Sequence, residues 1–155
     1  MKALTLTQPW ATLVAIGAKR IETRSWHTRY RGPLAIHAAK GFPPRARKFT
    51  TEPICYEAVK SCRTLADVVK RGGDLPAYPL GCVLAVCRLV DCRPTTLFTR
   101  GADMAEAAYD LTLQEESFGD YSPGRFAWIL DAVQPLPEPI PAKGMLGLWE
   151  WSMPE

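Results

Sequence analysis

The segment GCVLAVCRLVDC, from Gly81 to Cys92, is the most apolar part of the chain and restricts its fold more than any other segment does. It is far shorter than the roughly 18 apolar residues that a membrane-spanning helix needs, and no other run is longer, so we predict no membrane segment. A short, continuously apolar segment of this kind is typical of a strand covered on both faces. We therefore predict a central strand here.

The order of the other elements indicates the fold class. Strands are predicted at KALTLTQ, IETRSW, PLAIHAA, RFAWILDAV and LGLWEW. Helices are predicted after Pro9, between Pro43 and Arg71 with Thr64 as an N-cap, and over MAEAAYDLTLQEE, whereas LPEPIPAKG is predicted as a proline-rich connection. Because strands do not alternate singly with helices, a doubly wound fold is excluded. We predict one α+β domain, residues 1–155, in which five to six mostly antiparallel strands form a small barrel or curved sheet with flanking helices.

Five cysteines occur in a chain whose N-terminus lacks the apolar core of a signal peptide: Cys55, Cys62, Cys82, Cys87 and Cys92. An odd number of cysteines without a secretion signal argues against a disulfide framework and predicts a cytoplasmic protein. The five-residue intervals in GCVLAVCRLVDC differ from the close CxxC spacing of zinc ligands. We expect buried thiols, no metal and no cofactor.

Charge is unevenly distributed along the chain, although the net charge is only +3. Between Lys19 and Lys48 there are nine basic residues and one acid, whereas residues 102–120 contain six acids and no Lys or Arg. Such a bipolar surface suits a polyanionic partner on one face. The alternative is two oppositely charged, solvated faces.

The basic region begins with the motif GAKRIETR, which fits GxKxxExR. A helix end, a glycine turn and a strand entry would hold Lys19, Glu22 and Arg24 close together. The two cations can bind phosphate, and an arginine can do so through two hydrogen bonds. Glu22 would orient the cations or act as a base. The alternative is a surface cluster of ion pairs with little energetic consequence.

Together with LTLTQPWATLV, YRGPLAIHAA, GRFAWIL and PIPAKGMLGLWEW, this motif resembles the ASCH family, a branch of the PUA-like barrels. The resemblance covers both ends of the chain, and the segment 42–79 adds little to it. It implies a β-barrel with a cleft between barrel and flanking helices, and a role in RNA binding or RNA metabolism.

The resemblance also implies two enzymatic alternatives. Some small ASCH proteins hydrolyse the amide of an acylated nucleoside with a lysine, a threonine and a glutamate, and others are metal-independent ribonucleases. Lys19 matches the lysine of the amidohydrolases, but Glu22 stands where they have the threonine nucleophile. Our leading hypothesis is therefore a domain that binds RNA or a single nucleotide, modified or unmodified. A hydrolase using Lys19 and Glu22, or a protein-interaction module, remains open, as does the oligomeric state.

Further candidate ligand contacts surround the motif: Gln8, Trp10, Trp26, His37, Arg125 and Lys143. Gln8 and Trp10 lie at a predicted helix N-terminus, where anions are favoured, and Trp26 can stack on a base. For Trp10 and Trp26 the alternative is ordinary core packing, and for His37 it is a structural histidine. Arg45 and Arg47 in the basic region are expected to strengthen RNA binding in a salt-dependent way.

Overall fold

A computed structural model describes residues 1–61, 78–99 and 109–154. The described strands are β1 Lys2–Leu6, β2 Ile21–Arg24, β3 Gly32–Ala38, β4 Cys82–Pro94, β5 Phe98–Thr99, β6 Tyr109–Asp110, β7 Phe126–Pro141 and β8 Leu148–Glu150. The described α-helices are α1 Trp10–Ala15, α2 Pro44–Phe49, α3 Pro53–Lys60 and α4 Leu113–Phe118. The predicted N-cap at Thr64 lies outside the described residues.

Six strands form one curved, half-barrel sheet in the order β2-β7-β4-β3-β1-β8. Of its pairings, β1 with β3 is parallel and the others are antiparallel. This confirms the predicted α+β fold of mostly antiparallel strands with flanking helices. A separate small ladder joins β5 to β6 in parallel.

Strand β4 occupies the centre of the sheet, as its apolar sequence predicts. It pairs with β3 on one side and with β7 on the other. Leu84 and Leu89 of β4 are at most 2% exposed and pack with Trp128 of β7, which is fully buried. Burying such side chains is the main favourable term in the folding free energy.

The prediction of a connection over LPEPIPAKG is wrong for its first part, because β7 continues to Pro141. Strand β2 pairs with residues 126–129 of β7 and extends no further along it. Beyond them, β7 pairs with β4 on one side and forms an open edge of the described sheet on the other. Prolines at alternate positions 135, 137, 139 and 141 lack N–H groups on one side of the strand. A missing N–H donor costs little free energy on an open edge. The strand therefore tolerates the prolines.

The prediction of one acidic helix over residues 104–116 is also wrong in its described part. Tyr109–Asp110 is a strand, and α4 begins only at Leu113. The Thr112 hydroxyl accepts a hydrogen bond from the Glu115 N–H and so caps the helix there. Residues 100–108 lie outside the described part of the chain.

The remaining helices flank the sheet near the GAKRIETR motif. Helix α1 ends before Gly17, whose φ of 78° places it in the left-handed region that glycine adopts without strain. Helices α2 and α3 follow β3, and Phe49 at the end of α2 packs on the core. The sequence predicts both helices, since each begins with proline near its N-terminus.

Four cysteines lie within the described part of the chain, and all four are free and buried: Cys55, Cys82, Cys87 and Cys92. Burial raises the pKa of the Cys55 thiol to about 11 and that of Cys87 to about 12. These thiols are therefore protonated apolar side chains at neutral pH. Among the described residues no helix is long and apolar enough to cross a membrane.

Candidate functional site

Lys19 lies beneath the surface at the centre of the motif. Its side chain is 1% exposed, its ammonium group donates a hydrogen bond to the Ile21 carbonyl, and Nζ lies 3.4 Å from Glu22 Oε2. Its backbone N–H donates to the Leu13 carbonyl at 2.9 Å, which ties the turn after α1 to that helix. Lys19 is thus positioned to hold Glu22, and a direct contact with a ligand would require this packing to open.

Glu115 of α4 is a second acid at this turn, and the sequence reasoning did not identify it. Its carboxylate accepts hydrogen bonds from the backbone N–H groups of Arg20 and Ile21. Burial raises the pKa of Glu115, although these hydrogen bonds and the charge of Lys19 act in the opposite direction. The signal in the sequence that could have pointed to Glu115 was the acidic segment 102–120, which contrasts with the basic segment 19–48. Glu115 belongs to that acidic segment and holds the motif in position.

Glu22 and Arg24 lie side by side on β2. Arg24 Nε lies 3.1 Å from Glu22 Oε1, and Arg24 Nη2 donates a hydrogen bond to the Thr5 carbonyl at 2.7 Å. The Glu22 side chain is 11% exposed and the Arg24 side chain is 25% exposed. Both oxygens of Glu22 therefore face a cation, while part of each side chain stays accessible. The predicted grouping of these charges is present in the structure.

A cleft of about 300 Å³ opens above this pair. It is lined by five of the residues predicted as site residues, namely Trp10, Glu22, Arg24, Trp26 and Arg125. The hydroxyl-bearing residues Thr5, Thr7, Thr23 and Ser25 complete most of its wall, and the sequence reasoning had not assigned Thr5, Thr7 or Ser25 to it. They gave no signal because threonine and serine are common on any exposed strand.

The aromatic and cationic walls of the cleft are held by neighbouring groups. The Trp26 ring meets Trp128 edge-on, with centroids 4.6 Å apart. Arg125 Nη2 donates to the Thr23 carbonyl at 3.2 Å, and its Nε lies 3.3 Å from Asp120 Oδ2. These contacts position the side chains before any ligand arrives, which lowers the entropic cost of binding.

The cleft continues into a groove across Trp10. One cavity, of about 520 Å³, extends from Glu22 to Arg45 and Asp120, and another, of about 610 Å³, extends from Trp10 to Arg45 and Lys48. Trp10 stacks on Phe49 with ring centroids 5.5 Å apart and an interplanar angle of 13°. The basic helix α2 therefore borders the same groove as the motif.

Arg47, on the same helix, is placed differently. Its guanidinium lies over the Phe42 ring, 5.4 Å from the centroid, and its Nε donates to the Phe42 carbonyl at 2.8 Å. Arg45 and Arg47 were predicted together as RNA contacts, but only Arg45 lines the cavities described above.

The remaining predicted residues lie elsewhere. Gln8 is fully buried; its amide donates to the Pro79 carbonyl at 2.8 Å and accepts from the Thr12 N–H at 3.1 Å. Both ends of its side chain are thus used within the fold. His37 and Lys143 line a different cavity, which shares only Thr5 with the cleft. Among the described residues no cluster of His, Cys, Asp and Glu could hold a metal ion.

Comparisons with known proteins agree with this architecture. Activating signal cointegrator 1 of Mus musculus is 30% identical over 150 residues, and its Homo sapiens counterpart is 29% identical over 150 residues. These alignments cover 95% of this chain and 22% of each relative, so the chain spans about a fifth of the length of these proteins. The model of the ASCH domain family matches residues 4–137. ASCH domains are generally associated with RNA binding. With a match over most of its length and a PUA-like sheet, the chain belongs to the ASCH family.

Proposed function

We propose that this domain binds single-stranded RNA and seats one nucleotide in the cleft above Glu22 and Arg24. The observation that carries the proposal is the convergence of two indoles, a carboxylate and two guanidinium groups on one cleft of about 300 Å³. This volume is at the lower end of the range of about 300–1,000 Å³ that small-molecule sites occupy.

The two indoles supply a surface for a base. Trp10 and Trp26 both border the cleft and are both partly exposed. Stacking of a base on an aromatic side chain contributes about 1–3 kcal/mol to the affinity for a single strand, whichever base it is. The cleft therefore suits an unpaired nucleotide better than a duplex, whose bases are stacked on each other.

The charged groups match the two other parts of a nucleotide. Glu22 can accept hydrogen bonds only, so its exposed edge suits the N–H donors of a base. Arg24 and Arg125 carry N–H donors in a planar fork that matches phosphate oxygens. Lys19 supports this arrangement from below by holding Glu22, instead of contacting the phosphate itself.

The groove across Trp10 favours an RNA strand as the ligand, and not a free nucleotide. Arg45 and Lys48 are exposed on α2 and line this groove. Lysine and arginine side chains of this kind release counterions from the phosphate backbone. A chain of nucleotides can contact the cleft and α2 at once, whereas one nucleotide occupies the cleft alone.

The test compares mononucleotides with a single-stranded octanucleotide, using calorimetry for binding and mass spectrometry for turnover. We expect Arg24→Gln to weaken the binding of both ligands. Glu22→Gln should retain binding but change which base is preferred. The matched control is Arg20→Gln, since Arg20 is exposed and pairs with Asp131 at 2.9 Å.

Two outcomes contradict the proposal. Equal affinity of wild type and Arg24→Gln for both ligands would remove the cleft as the binding site. Cleavage of RNA or of an acylated nucleoside that is abolished in Glu22→Gln would favour the hydrolase alternative, because the amide keeps the shape of the side chain but cannot act as a base.

A further inference from the structure

A cavity of about 800 Å³ shares Thr5 with the cleft. Its wall is the segment from Pro141 to Leu146, together with His37, Lys40 and Gly81. Two lysines, Lys40 and Lys143, line it, and no Asp or Glu is among its described lining residues. An anion is the ligand that such a charge distribution favours.

Two side chains hold this wall in place. His37 Nε2 lies 3.1 Å from the Ala142 carbonyl oxygen, and the Thr5 hydroxyl donates to the Met145 carbonyl at 3.1 Å. A Cβ atom on Gly144 would lie 2.7 Å from His37 Nδ1, so only glycine lets the backbone lie this close to the ring. The segment therefore has a defined position, and it presents Lys143, Met145 and Leu146 at the rim.

His37 also carries an unused acceptor. Since Nε2 faces a carbonyl oxygen, Nε2 carries the proton and Nδ1 has the lone pair. His37 is 1% exposed, and its Nδ1 has no hydrogen-bond partner among the described residues. Because the Gly144 backbone packs against this side of the ring, Nδ1 is covered by the wall, and the role of His37 is to position the segment.

Thr5 connects this cavity to the cleft. Its carbonyl accepts from Arg24 in the wall of the cleft, while its hydroxyl holds Met145 in the wall of the cavity. The ligand that the two lysines favour is thus an anion, adjacent to the site in which we seat a nucleotide. We propose that the cavity is a second subsite for the same RNA strand, in which Lys40 and Lys143 contact the phosphates of a neighbouring nucleotide. This inference rests on the proposed function, because the strand reaches the cavity from the cleft.

The apolar rim supports a nucleotide over an isolated phosphate. Met145 is 56% exposed and Leu146 is 98% exposed. Flexible apolar side chains beside two lysines can cover the face of a base while its phosphate meets the ammonium groups. Strand binding on both sides of the cleft, at α2 and at this cavity, would then place the seated nucleotide inside a segment instead of at its end.

The test reverses the charge of both lysines, Lys40→Glu with Lys143→Glu, and measures binding by fluorescence anisotropy over a range of salt concentrations. The control pair, Lys60→Glu with Arg88→Glu, makes the same change of net charge at two exposed cations outside the cavity and the cleft. For the octanucleotide we expect the slope of log affinity against log salt to fall by about 1.4, at about 0.7 for each phosphate contact in a single strand. Mononucleotide affinity should stay unchanged.

Two results separate this inference from the proposed function. In the first, the double lysine variant and the control double variant bind the octanucleotide with equal affinity, while Arg24→Gln still weakens mononucleotide binding. In that case the proposed subsite is wrong, and the cleft remains the nucleotide site. If the wild-type domain binds no mononucleotide but its octanucleotide affinity depends on the lysine pair, the cavity is an RNA site and the seated nucleotide is wrong. Circular dichroism of each variant checks that the fold is retained.

Discussion

Lys19 and Arg45 belong to the same basic stretch of the sequence, yet the fold uses them in opposite ways. Lys19 is 1% exposed, its Nζ lies 3.4 Å from Glu22 Oε2, and its charge opposes the rise in the pKa of Glu115. Arg45 is exposed on α2 and borders the groove. A run of cations in a sequence therefore contains two populations, one that builds a site and one that is available to a ligand. Burial and pairing distinguish the two.

The largest expected effect is on the buried population. Replacing Lys19 with Met leaves Glu22 without its buried partner, and losing one member of a buried ion pair costs about 3–5 kcal/mol. We expect the free energy of unfolding, measured with urea, to fall by an amount at the lower end of this range, because Arg24 remains beside Glu22. Arg20→Met is the control, because its pair with Asp131 is exposed and such pairs contribute less than about 1 kcal/mol. Equal losses of unfolding free energy in the two variants would mean that Lys19 contributes no more to stability than a surface residue does.

The second prediction concerns two arginines of the exposed population. Arg45→Glu should weaken octanucleotide binding by about 1.5 kcal/mol or more, because a charged hydrogen bond to phosphate is lost. Arg47→Glu should have less effect, since Arg47 is held against Phe42. Anisotropy at fixed salt measures both. A larger loss for Arg47→Glu would show that α2 contacts RNA through the opposite side.

The smallest effect concerns the two histidines and pH. Burial lowers the pKa of His37, and its hydrogen bond to the Ala142 carbonyl offsets this only in part. A histidine whose pKa is lower in the folded than in the unfolded state stabilises the protein above its ordinary pKa of 6.5, and this contribution is lost as the pH falls below that value. Unfolding free energies from neutral pH downwards should therefore fall less steeply in His37→Phe than in wild type.

The matched control for this pH effect is His27→Phe. His27 is exposed, and its ring meets the Phe126 ring at 5.4 Å between centroids. The curve of His27→Phe is the reference with which the curve of His37→Phe is compared, since both variants replace one imidazole by a phenyl ring. If His27→Phe flattens the curve and His37→Phe does not, His37 is not the group that titrates.

Much of the fold could be read from local patterns. The alternation in KALTLTQ and RFAWILDAV and the apolar GCVLAVCRLVDC identified strands that the structure contains. The end of β7 could not be read locally, because a proline-rich segment is acceptable in a strand only where a sheet edge is open, and that depends on how far β2 extends.

For the candidate site, the motif predicted that Glu22 and Arg24 would meet, and they do. The motif could not show that both the oxygen and the nitrogen of the Gln8 amide form hydrogen bonds within the fold. Nor could it tell that Glu115, 93 residues further along the chain than Glu22, closes the same turn. These are tertiary contacts, and no local spacing reports them. His37 and Lys143 were grouped with the cleft, whereas they line another cavity that shares only Thr5 with it.

The position of β1 between β3 and β8 sets the order in which the domain can be completed during synthesis. Strand β3 can pair with β1 once residue 38 is available, but Trp149 and Glu150 become available only near the end of the described chain. Contacts of such long sequence separation are slow to form because closing the loop costs entropy. Trp149 also donates a hydrogen bond to the Thr5 hydroxyl at 3.1 Å. A nascent chain therefore cannot complete the wall shared by the two cavities until β8 has been translated.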